Sequence, residues 1–280
     1  HRTRGAMGDT IFKLLVTLCA AGVVALVVLI AFFIFKGALP AIKSFGFGFI
    51  TSTRWDPVAG EFGALTSIFG TLLSTVLAII IAVPVGVIIA LFLVEYAPRA
   101  VAVPTGYAIE LLAAIPSIIY GMWGLFVLAP FLAKYVIPPM GSALSFLPLF
   151  SGKTIGGQSV FTAGIIIAIM ILPYITAIMK DVFQMVPPSL KESAYGMGAT
   201  SWEVTSRVTL PFGVSGLIGA IFLALGRALG ETMAVTFVIG NSHRFSSSLF
   251  AEGNTISSTL ANEFGEADTA LFMGVLMELG

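Results

Sequence analysis

Residues 192–198 read Glu-Ser-Ala-Tyr-Gly-Met-Gly, and after nine further residues the chain continues at 208–211 with Val-Thr-Leu-Pro. This segment is polar and rich in small residues, and it lies between two strongly apolar runs. Gly196 and Gly198 each cost about 1 kcal/mol inside a helix, so we predict two short helices that meet at an angle. A polar segment of this kind in an apolar chain indicates a surface that a partner outside the bilayer contacts.

Two N-cap patterns predict where these short helices begin. Ser189 is followed three residues later by Glu192, and Thr200 is followed three residues later by Glu203. In such a capping box the hydroxyl and the carboxylate each bond the other residue's backbone N–H. We therefore expect one helix after Ser189, a break near Gly198 and a second helix after Thr200.

The composition is that of a membrane protein. Hydrophobic residues make up 58% of the 280 residues and charged residues 10%, with a mean hydropathy of +1.03. Soluble domains carry about a quarter charged residues. The formal net charge of zero argues against a nucleic-acid partner. The single cysteine, Cys19, excludes an intrachain disulfide, and with two histidines it leaves no metal-ligand cluster, so we expect no bound metal.

Several apolar runs have the length of about 20 residues that a membrane-spanning helix needs. Five spans are predicted, at Leu14–Phe35, Leu65–Val94, Leu111–Ala133, Val160–Met179 and Val214–Ile239. Pro116 and Pro130 interrupt the third. A sixth opens at Thr269 and is still apolar at Gly280, so we expect that the sequence lacks the rest of that helix. The first run is too long for a signal peptide and leads to no A-x-A-like cleavage site, so we interpret it as a helix.

The fifth run, 214–239, contains the charges that we predict at membrane depth, Arg227 and Glu231. A charge there costs at least about 2.5–3.5 kcal/mol on insertion scales, so both residues should face a protein interior or a polar path. Their spacing of four residues predicts a shared helix face on which they can pair. Gly226 and Gly230 form a G-x-x-x-G pattern that lets a neighbouring helix approach closely.

Two interpretations of this pair remain open. The pair could lock helices together without touching a substrate. Alternatively, Arg227 contacts an anion that crosses the membrane, because its fork of donors suits a tetrahedral oxyanion, while Glu231 holds or releases that anion. Thr232 is a further candidate for this path. Ser117 and Tyr120 are weaker ones, since hydroxyls in such helices more often bond backbone carbonyls.

The spacing within residues 192–211 resembles the cytoplasmic coupling loop of ABC importer permeases. The matching positions are Glu192, Ala194, Gly198, Leu210 and Pro211, with Ser193 and Val208 as mild departures from the family pattern. The resemblance implies that this loop fits into a groove on a separate ATP-binding subunit. The alternative is an ordinary interhelical loop in which glycine and proline only form turns.

Further segments resemble the permease subunits of phosphate ABC importers, of the PstC type in particular. They are Trp55–Leu65, Gly70–Leu72, Ala114–Phe126, Gly226–Val235, Ser248–Phe250 and Ala261–Glu266. The resemblance implies the all-α type I ABC importer permease fold, with six transmembrane helices in one domain over 1–280. Positions 227 and 231 match the intramembrane arginine and glutamate of that family.

The resemblance also implies partners and an orientation. It implies a heterodimer with a second permease subunit, two ATP-binding subunits and an extracytoplasmic phosphate-binding protein, in the bacterial cytoplasmic (inner) membrane. ATP and Mg would belong to the ATP-binding subunits, and this chain would carry no cofactor and no catalytic residue. The N-terminus and a coupling loop at about 187–211 would be cytoplasmic. The loops at about 37–64, 134–159 and 241–268 would be outside, an orientation that the even spread of Lys and Arg does not decide.

The predicted function is therefore that of a channel-forming subunit of an ATP-driven phosphate importer. Close alternatives are a permease for another oxyanion, such as sulfate or molybdate, and the companion phosphate permease. An alternative of a different class is a secondary transporter driven by an ion gradient. A membrane scaffold that transports nothing would give no reason for a charge such as Arg227 at membrane depth.

Overall fold

The computed structural model describes residues 3–151, 154 and 156–280, with side chains described from Gly8 onward. Over these residues the chain is helical, and the only extended pairings are isolated bridges at Asp56–Glu61 and Gly240–Gly253. The helices are α1 (Thr3–Phe45), α2 (Gly48–Thr51), α3 (Leu65–Leu91), α4 (Arg99–Ala113), α5 (Ser117–Trp123), α6 (Ala129–Phe131), α7 (Ile137–Ala143), α8 (Val160–Gln184), α9 (Pro188–Gly196), α10 (Ser201–Val204), α11 (Leu210–Leu229), α12 (Met233–Val238), α13 (Ile256–Glu263) and α14 (Ala270–Leu279).

Short π-helical turns join several of these helices into longer runs. They continue α3 through Phe92–Tyr96, link α5 to α7, and connect α10 to α11 through Thr205–Thr209. Five runs within the described residues are long and apolar enough to cross a membrane: Gly8–Phe45, Leu65–Tyr96, Ser117–Ala143, Val160–Gln184 and Ser201–Leu229. The all-α prediction is confirmed, and a shorter apolar helix, α14, begins where the sixth run was predicted.

The predicted third span, Leu111–Ala133, has the wrong bounds, and the chain breaks inside it at Pro116, one of the two prolines that interrupt the run. Helix α4 ends at Ala113 and α5 begins only after Pro116. Proline has no N–H to donate and disfavours helical backbone in the residue before it, which favours a helix end at this point. The apolar run that can cross a membrane is instead Ser117–Ala143.

The predicted fifth span, Val214–Ile239, is also interrupted. Helix α11 ends at Leu229, and α12 starts at Met233 after a break at residues 230–232. The Ser257 hydroxyl, from α13, donates a hydrogen bond to the Leu229 carbonyl at 3.1 Å. This bond satisfies a carbonyl that the end of a helix leaves without an intrahelical donor.

Helix α8 forms the centre of the bundle, with α3 and α11 packed against it. Its buried side chains include Ile166, Ile167, Ile171, Ile175, Met179 and Phe183. The face that α3 turns inward consists of small residues, among them Ser67, Gly70, Ser74, Ala78 and Ala82. Small side chains three or four residues apart share one helix face and let two helices approach closely, as is typical of membrane bundles.

Helix α1 packs on α14 through its last turns. Ala38 and Ala41 are buried there, and Gly37 lies against Met277. The described side chains from residue 8 to 36 are all exposed within this chain. This long apolar surface therefore suits contact with lipid or with another membrane subunit.

The connection that follows α2 packs on the connection that follows α12 through aromatic rings. The Trp55 indole stacks on the His243 imidazole with ring centroids 4.8 Å apart, and its edge contacts Phe62 at 5.3 Å. Close by, a Cβ at Gly70 would lie 2.0 Å from the Asn254 carbonyl oxygen, so that approach of two backbones requires glycine. The residues over 55–70 thus pack against the connection between α12 and α13.

His243 lies between two polar partners. The Asn254 amide nitrogen is 2.8 Å from Nδ1, and Nε2 is 3.4 Å from a carboxylate oxygen of Glu263. Burial lowers the pKa of His243 to about 4. Burial, together with the neighbouring Glu266, raises the pKa of the Glu263 carboxyl. At neutral pH the imidazole is therefore uncharged, and Nδ1 can accept the amide hydrogen of Asn254.

We expect the protein to lose stability as the pH falls from 6.5 toward 4 because of His243. In the unfolded chain this imidazole binds a proton at its ordinary pKa of 6.5, whereas in the folded chain it does so only near 4, so protonation favours unfolding between those values. Thermal unfolding across this range should show a shallower decline for His243→Asn. Glu263, whose pKa is raised, acts with the opposite sign and partly offsets the decline. Equal pH profiles would contradict this prediction.

Candidate functional site

Arg227 lies in the last turn of α11 and is half-buried. Its guanidinium carbon sits over the ring of Tyr174, 4.8 Å from the ring centroid, in a cation–π contact. Its Nε is buried and has no hydrogen-bond partner among the described residues. A buried donor without a hydrogen-bond partner carries a free-energy cost.

Two tyrosine hydroxyls connect this arginine to the break between α4 and α5. Tyr174 donates to the Ala113 carbonyl at 3.3 Å, and Tyr120 donates to the Leu112 carbonyl at 2.9 Å. These carbonyls belong to the last turn of α4, and that of Leu112 also accepts the Ile115 N–H at 3.3 Å. Tyr120 also lies within electrostatic range of both Tyr174 and Arg227. The arginine and the break therefore belong to one polar region inside an apolar bundle.

Glu231 does not pair with Arg227, so that prediction is wrong. The four-residue spacing places two side chains on one face only if the helix is continuous, and here it ends at Leu229. Glu231 is 8% exposed, and its Oε1 accepts a hydrogen bond from the Ala234 N–H at 3.2 Å. The carboxylate thus satisfies a free N–H at the start of α12, where a negative charge is favoured.

The close helix approach predicted at Gly226 and Gly230 is also absent from the described residues. A Cβ at Gly226 would meet nothing within 4 Å, and one at Gly230 would meet only the Gly226 carbonyl at 3.4 Å. Phe222 and Leu223 of the same helix are 70% and 67% exposed. This face of α11 is open within the chain, so another subunit can approach the region of Arg227.

The other candidates for the path differ in their surroundings. The Thr232 hydroxyl donates to the Gly230 carbonyl at 3.2 Å, and Thr232 lines a cavity of about 510 Å³ that Leu260 and Met277 also line. Ser117 is half-buried in the first turn of α5. No hydrogen bond joins Thr232 or Ser117 to Arg227 in the part of the chain that the structure describes.

The segment 187–211 contains two short helices, as predicted, with the break at Gly198. Its φ is +89°, a conformation that L-residues rarely adopt. The Gly198 N–H donates to the Tyr195 carbonyl at 2.9 Å, and the Ala199 N–H donates to the Ala194 carbonyl at 3.1 Å. These two bonds form a Schellman motif, in which glycine occupies the left-handed position that ends the helix.

The second helix begins with the predicted capping box, whereas the first does not. The Thr200 hydroxyl accepts the Glu203 N–H at 3.3 Å, and the Glu203 carboxylate accepts the Thr200 N–H at 2.9 Å. At the first helix, Pro187 is the N-cap and Ser189 already lies in the first turn. Proline at the first helical position has a suitable φ and needs no N–H partner, which displaces the start from the serine.

The five motif residues of this segment are exposed to different degrees. Glu192, Gly198 and Pro211 are exposed, Leu210 is half-buried and Ala194 is buried at 8% exposure. Three large side chains outside the motif positions are also exposed: Tyr195, Met197 and Trp202. Aromatic residues and methionine are enriched at protein interfaces. Their presence in an otherwise polar segment is therefore a sequence signal for contact with a partner.

Comparison with known proteins places this architecture in a family. The family model described as binding-protein-dependent transport system inner membrane component matches residues 67–277. The phosphate transport system permease protein PstC of Mesorhizobium japonicum is 54% identical over 282 residues, with 99% of this chain and 86% of that protein covered. A probable PstC of Methanocaldococcus jannaschii is 37% identical, with 91% and 82% covered.

A solved structure supports the same fold. The crystal structure of a bacterial ABC transporter involved in the import of the acidic polysaccharide alginate aligns with a TM-score of 0.62. The alignment covers 99% of this chain and 92% of that chain at 15% sequence identity, which is evidence for the fold alone. The chain therefore belongs to the family of binding-protein-dependent transport system inner membrane components, and within it to the PstC-type permeases.

Proposed function

We propose that this chain is a transmembrane subunit of an ATP-driven importer of inorganic phosphate. The observation that carries the proposal is Arg227, a half-buried cation with an unpaired Nε beside two helix breaks. Its planar fork of donors matches the oxygens of a tetrahedral anion. The phosphate permeases that share up to 54% identity with the chain support phosphate as that anion.

Arg227 gives the anion a means of shifting the transporter between states. A ligand changes a conformational equilibrium only if it binds one state better than the other. In the conformation described here Arg227 rests on the Tyr174 ring and pairs with no described acid. Phosphate would supply the acceptors that the guanidinium lacks, so a state that exposes Arg227 to the path is favoured by binding.

The segment 187–211 is proposed to contact an ATP-binding subunit. Its exposed Tyr195, Met197 and Trp202 offer apolar contact area on an otherwise polar surface, which supports a protein partner. We propose two such subunits, which would hold ATP and Mg, so that this chain itself carries no cofactor. The open face of α11 is proposed to contact a second permease subunit.

The remaining partner and the orientation follow from the same proposal. The segment 187–211 and the N-terminus would face the cytoplasm, and the chain would lie in the bacterial cytoplasmic membrane. The connections between α2 and α3 and between α12 and α14 would then face outward, where an extracytoplasmic phosphate-binding protein would dock. Glu231 would hold or release the anion near the break in the fifth span.

Two measurements test the class and the substrate together. ATP-binding subunits should co-purify with this chain, whereas a secondary transporter would need none. Uptake of labelled phosphate by the assembled complex should then be reduced by unlabelled phosphate and remain unchanged with sulfate or molybdate. Stronger competition by sulfate or molybdate would instead identify a permease for that oxyanion. Arginine alone does not separate these substrates, because its fork of donors fits each tetrahedral oxyanion equally well.

We expect Tyr174→Leu to reduce phosphate uptake more than Tyr174→Phe does. Phenylalanine keeps the ring under the Arg227 guanidinium and loses only the hydrogen bond to Ala113, whereas leucine removes the ring. A partly buried cation–π contact is worth about 0.5–2 kcal/mol, which corresponds to a difference of about 2- to 30-fold. Initial uptake rates, normalised to assembled complex, measure this difference. Equal rates for the two variants would show that the ring does not position the guanidinium.

A further inference from the structure

Glu95 is a nearly buried carboxylate at the end of the second span, with 10% of its side chain exposed. It lies in the π-helical turn Phe92–Tyr96 that extends α3. One oxygen, Oε1, accepts hydrogen bonds from Lys191 Nζ at 2.6 Å and from Thr209 Oγ1 at 3.0 Å. A single carboxylate therefore joins three separate parts of the chain.

The two partners lie near opposite ends of the coupling segment 187–211. Lys191 is in α9, the first short helix of that segment. Thr209 is in the π-helical turn that leads directly into α11, the helix that carries Arg227. Both elements thus meet at the end of α3, although Glu95 is 96 residues from the first partner and 114 from the second.

A second contact strengthens this junction. The hydroxyl of Tyr96, the next residue, lies 3.1 Å from Oγ1 of Thr205. Consecutive residues of one π-helical turn thereby contact the first and last residues of another, Thr205 and Thr209. Such turns inside α-helices occur frequently at functional sites, because the inserted residue breaks the regular hydrogen-bond ladder.

Burial decides how strongly the junction is held. A carboxylate taken out of water is tolerated only if it is paired, so moving Lys191 away from Glu95 would leave an uncompensated charge. A displacement of α9 must therefore carry the end of α3 with it. The ion pair between Lys180 and Glu110 offers a contrast, because its carboxylate is 53% exposed and such pairs contribute little.

We propose that Glu95 is a positioning residue that transmits displacement of the coupling segment to the second span and to the start of α11. It acts through Lys191 and Thr209 and touches no substrate. The inference rests on the proposed function, because it assumes that an ATP-binding subunit displaces residues 187–211. It adds to that function a specific contact through which the displacement would reach α3 and α11.

The test uses the complete complex in liposomes and measures ATP hydrolysed and labelled phosphate imported in the same sample. Glu95→Gln keeps the shape of the side chain and an acceptor for Thr209 but removes the charge pair. We expect the ratio of ATP to phosphate to rise at least about fivefold, the lower range of typical coupling between sites. The KM for phosphate should stay unchanged. Glu110→Gln, a matched loss of an ion pair, should leave the ratio at the wild-type value.

Two further variants separate coupling from folding. Lys191→Met removes the charge from the surface helix α9 and should raise the ratio of ATP to phosphate as Glu95→Gln does. If Glu95→Gln fails to assemble, the Lys191→Met result tests the inference by itself. Exchanging the charges in Glu95→Lys with Lys191→Glu should bring the ratio back toward wild type. A purely structural role would lower hydrolysis and uptake in proportion, with the ratio unchanged. An unchanged ratio in Glu95→Gln and Lys191→Met would overturn the inference, whereas absent ATP-driven uptake in the wild type would refute the proposed function itself.

Discussion

Replacing Arg227 by glutamine is expected to abolish phosphate uptake without reducing the amount of assembled complex. Glutamine is polar but shorter, ending where arginine has Nε, and it lacks the positive charge and the fork of donors. Two charge-assisted hydrogen bonds, at about 1.5–3 kcal/mol each, correspond to a fall in uptake of about 100-fold or more. The uptake rate of labelled phosphate, normalised to the amount of complex, measures this effect.

Assembly should survive because Arg227 contributes little to the packing of this chain. It forms a cation–π contact with Tyr174 and leaves Nε without a partner among the described residues. Arg227→Lys is the matched control, since it keeps the charge and loses the fork, so uptake should fall to an intermediate level. Normal uptake by Arg227→Gln would exclude this residue from the path of the anion.

Replacing Gly198 by alanine is expected to reduce uptake about tenfold, while Gly196→Ala leaves it unchanged. An added Cβ meets nothing within 4 Å at either position, so the two variants differ only in backbone conformation. Gly198 has a φ of +89°, where an L-residue costs about 1–2 kcal/mol, whereas Gly196 is in α9 and alanine suits a helix.

The Gly198 variant should act through the shape of the coupling segment. Alanine disfavours the left-handed conformation at this position, which destabilises the Schellman motif and the angle that it sets between α9 and α10. We expect the ATP-binding subunits to be retained less well in pull-downs with Gly198→Ala than with Gly196→Ala. If both variants import phosphate at the same rate, the geometry of this turn has no part in coupling.

Features that depend on neighbouring residues could be predicted from the sequence. The box between Thr200 and Glu203 and the break at Gly198 follow from short-range hydrogen bonding and backbone sterics, and both are confirmed. Arg227 was found because a charge is rare in an apolar run. Pro116 was recognised as an interruption of its apolar run, because proline disfavours a continuous helix. The break after Leu229 was missed because the length of the apolar run outweighed the glycine signal within it.

Features that depend on how helices pack could not be predicted. Tyr174 is one aromatic residue in an apolar helix, and only the packing of α8 against α11 brings its ring beneath Arg227. The pairing of Arg227 with Glu231 was wrong for the related reason that residue spacing has meaning only in a continuous helix. Glu95 gave no local signal because its partners are far away in the chain.

The most direct test of ATP-driven phosphate import uses liposomes that contain the complete complex. Labelled phosphate should accumulate inside when ATP and the phosphate-binding protein are both present, and it should not accumulate when either is left out. Ionophores that collapse proton and sodium gradients should have no effect on this uptake. Accumulation that proceeds without ATP and stops when those gradients are collapsed would contradict the proposal and identify a secondary transporter.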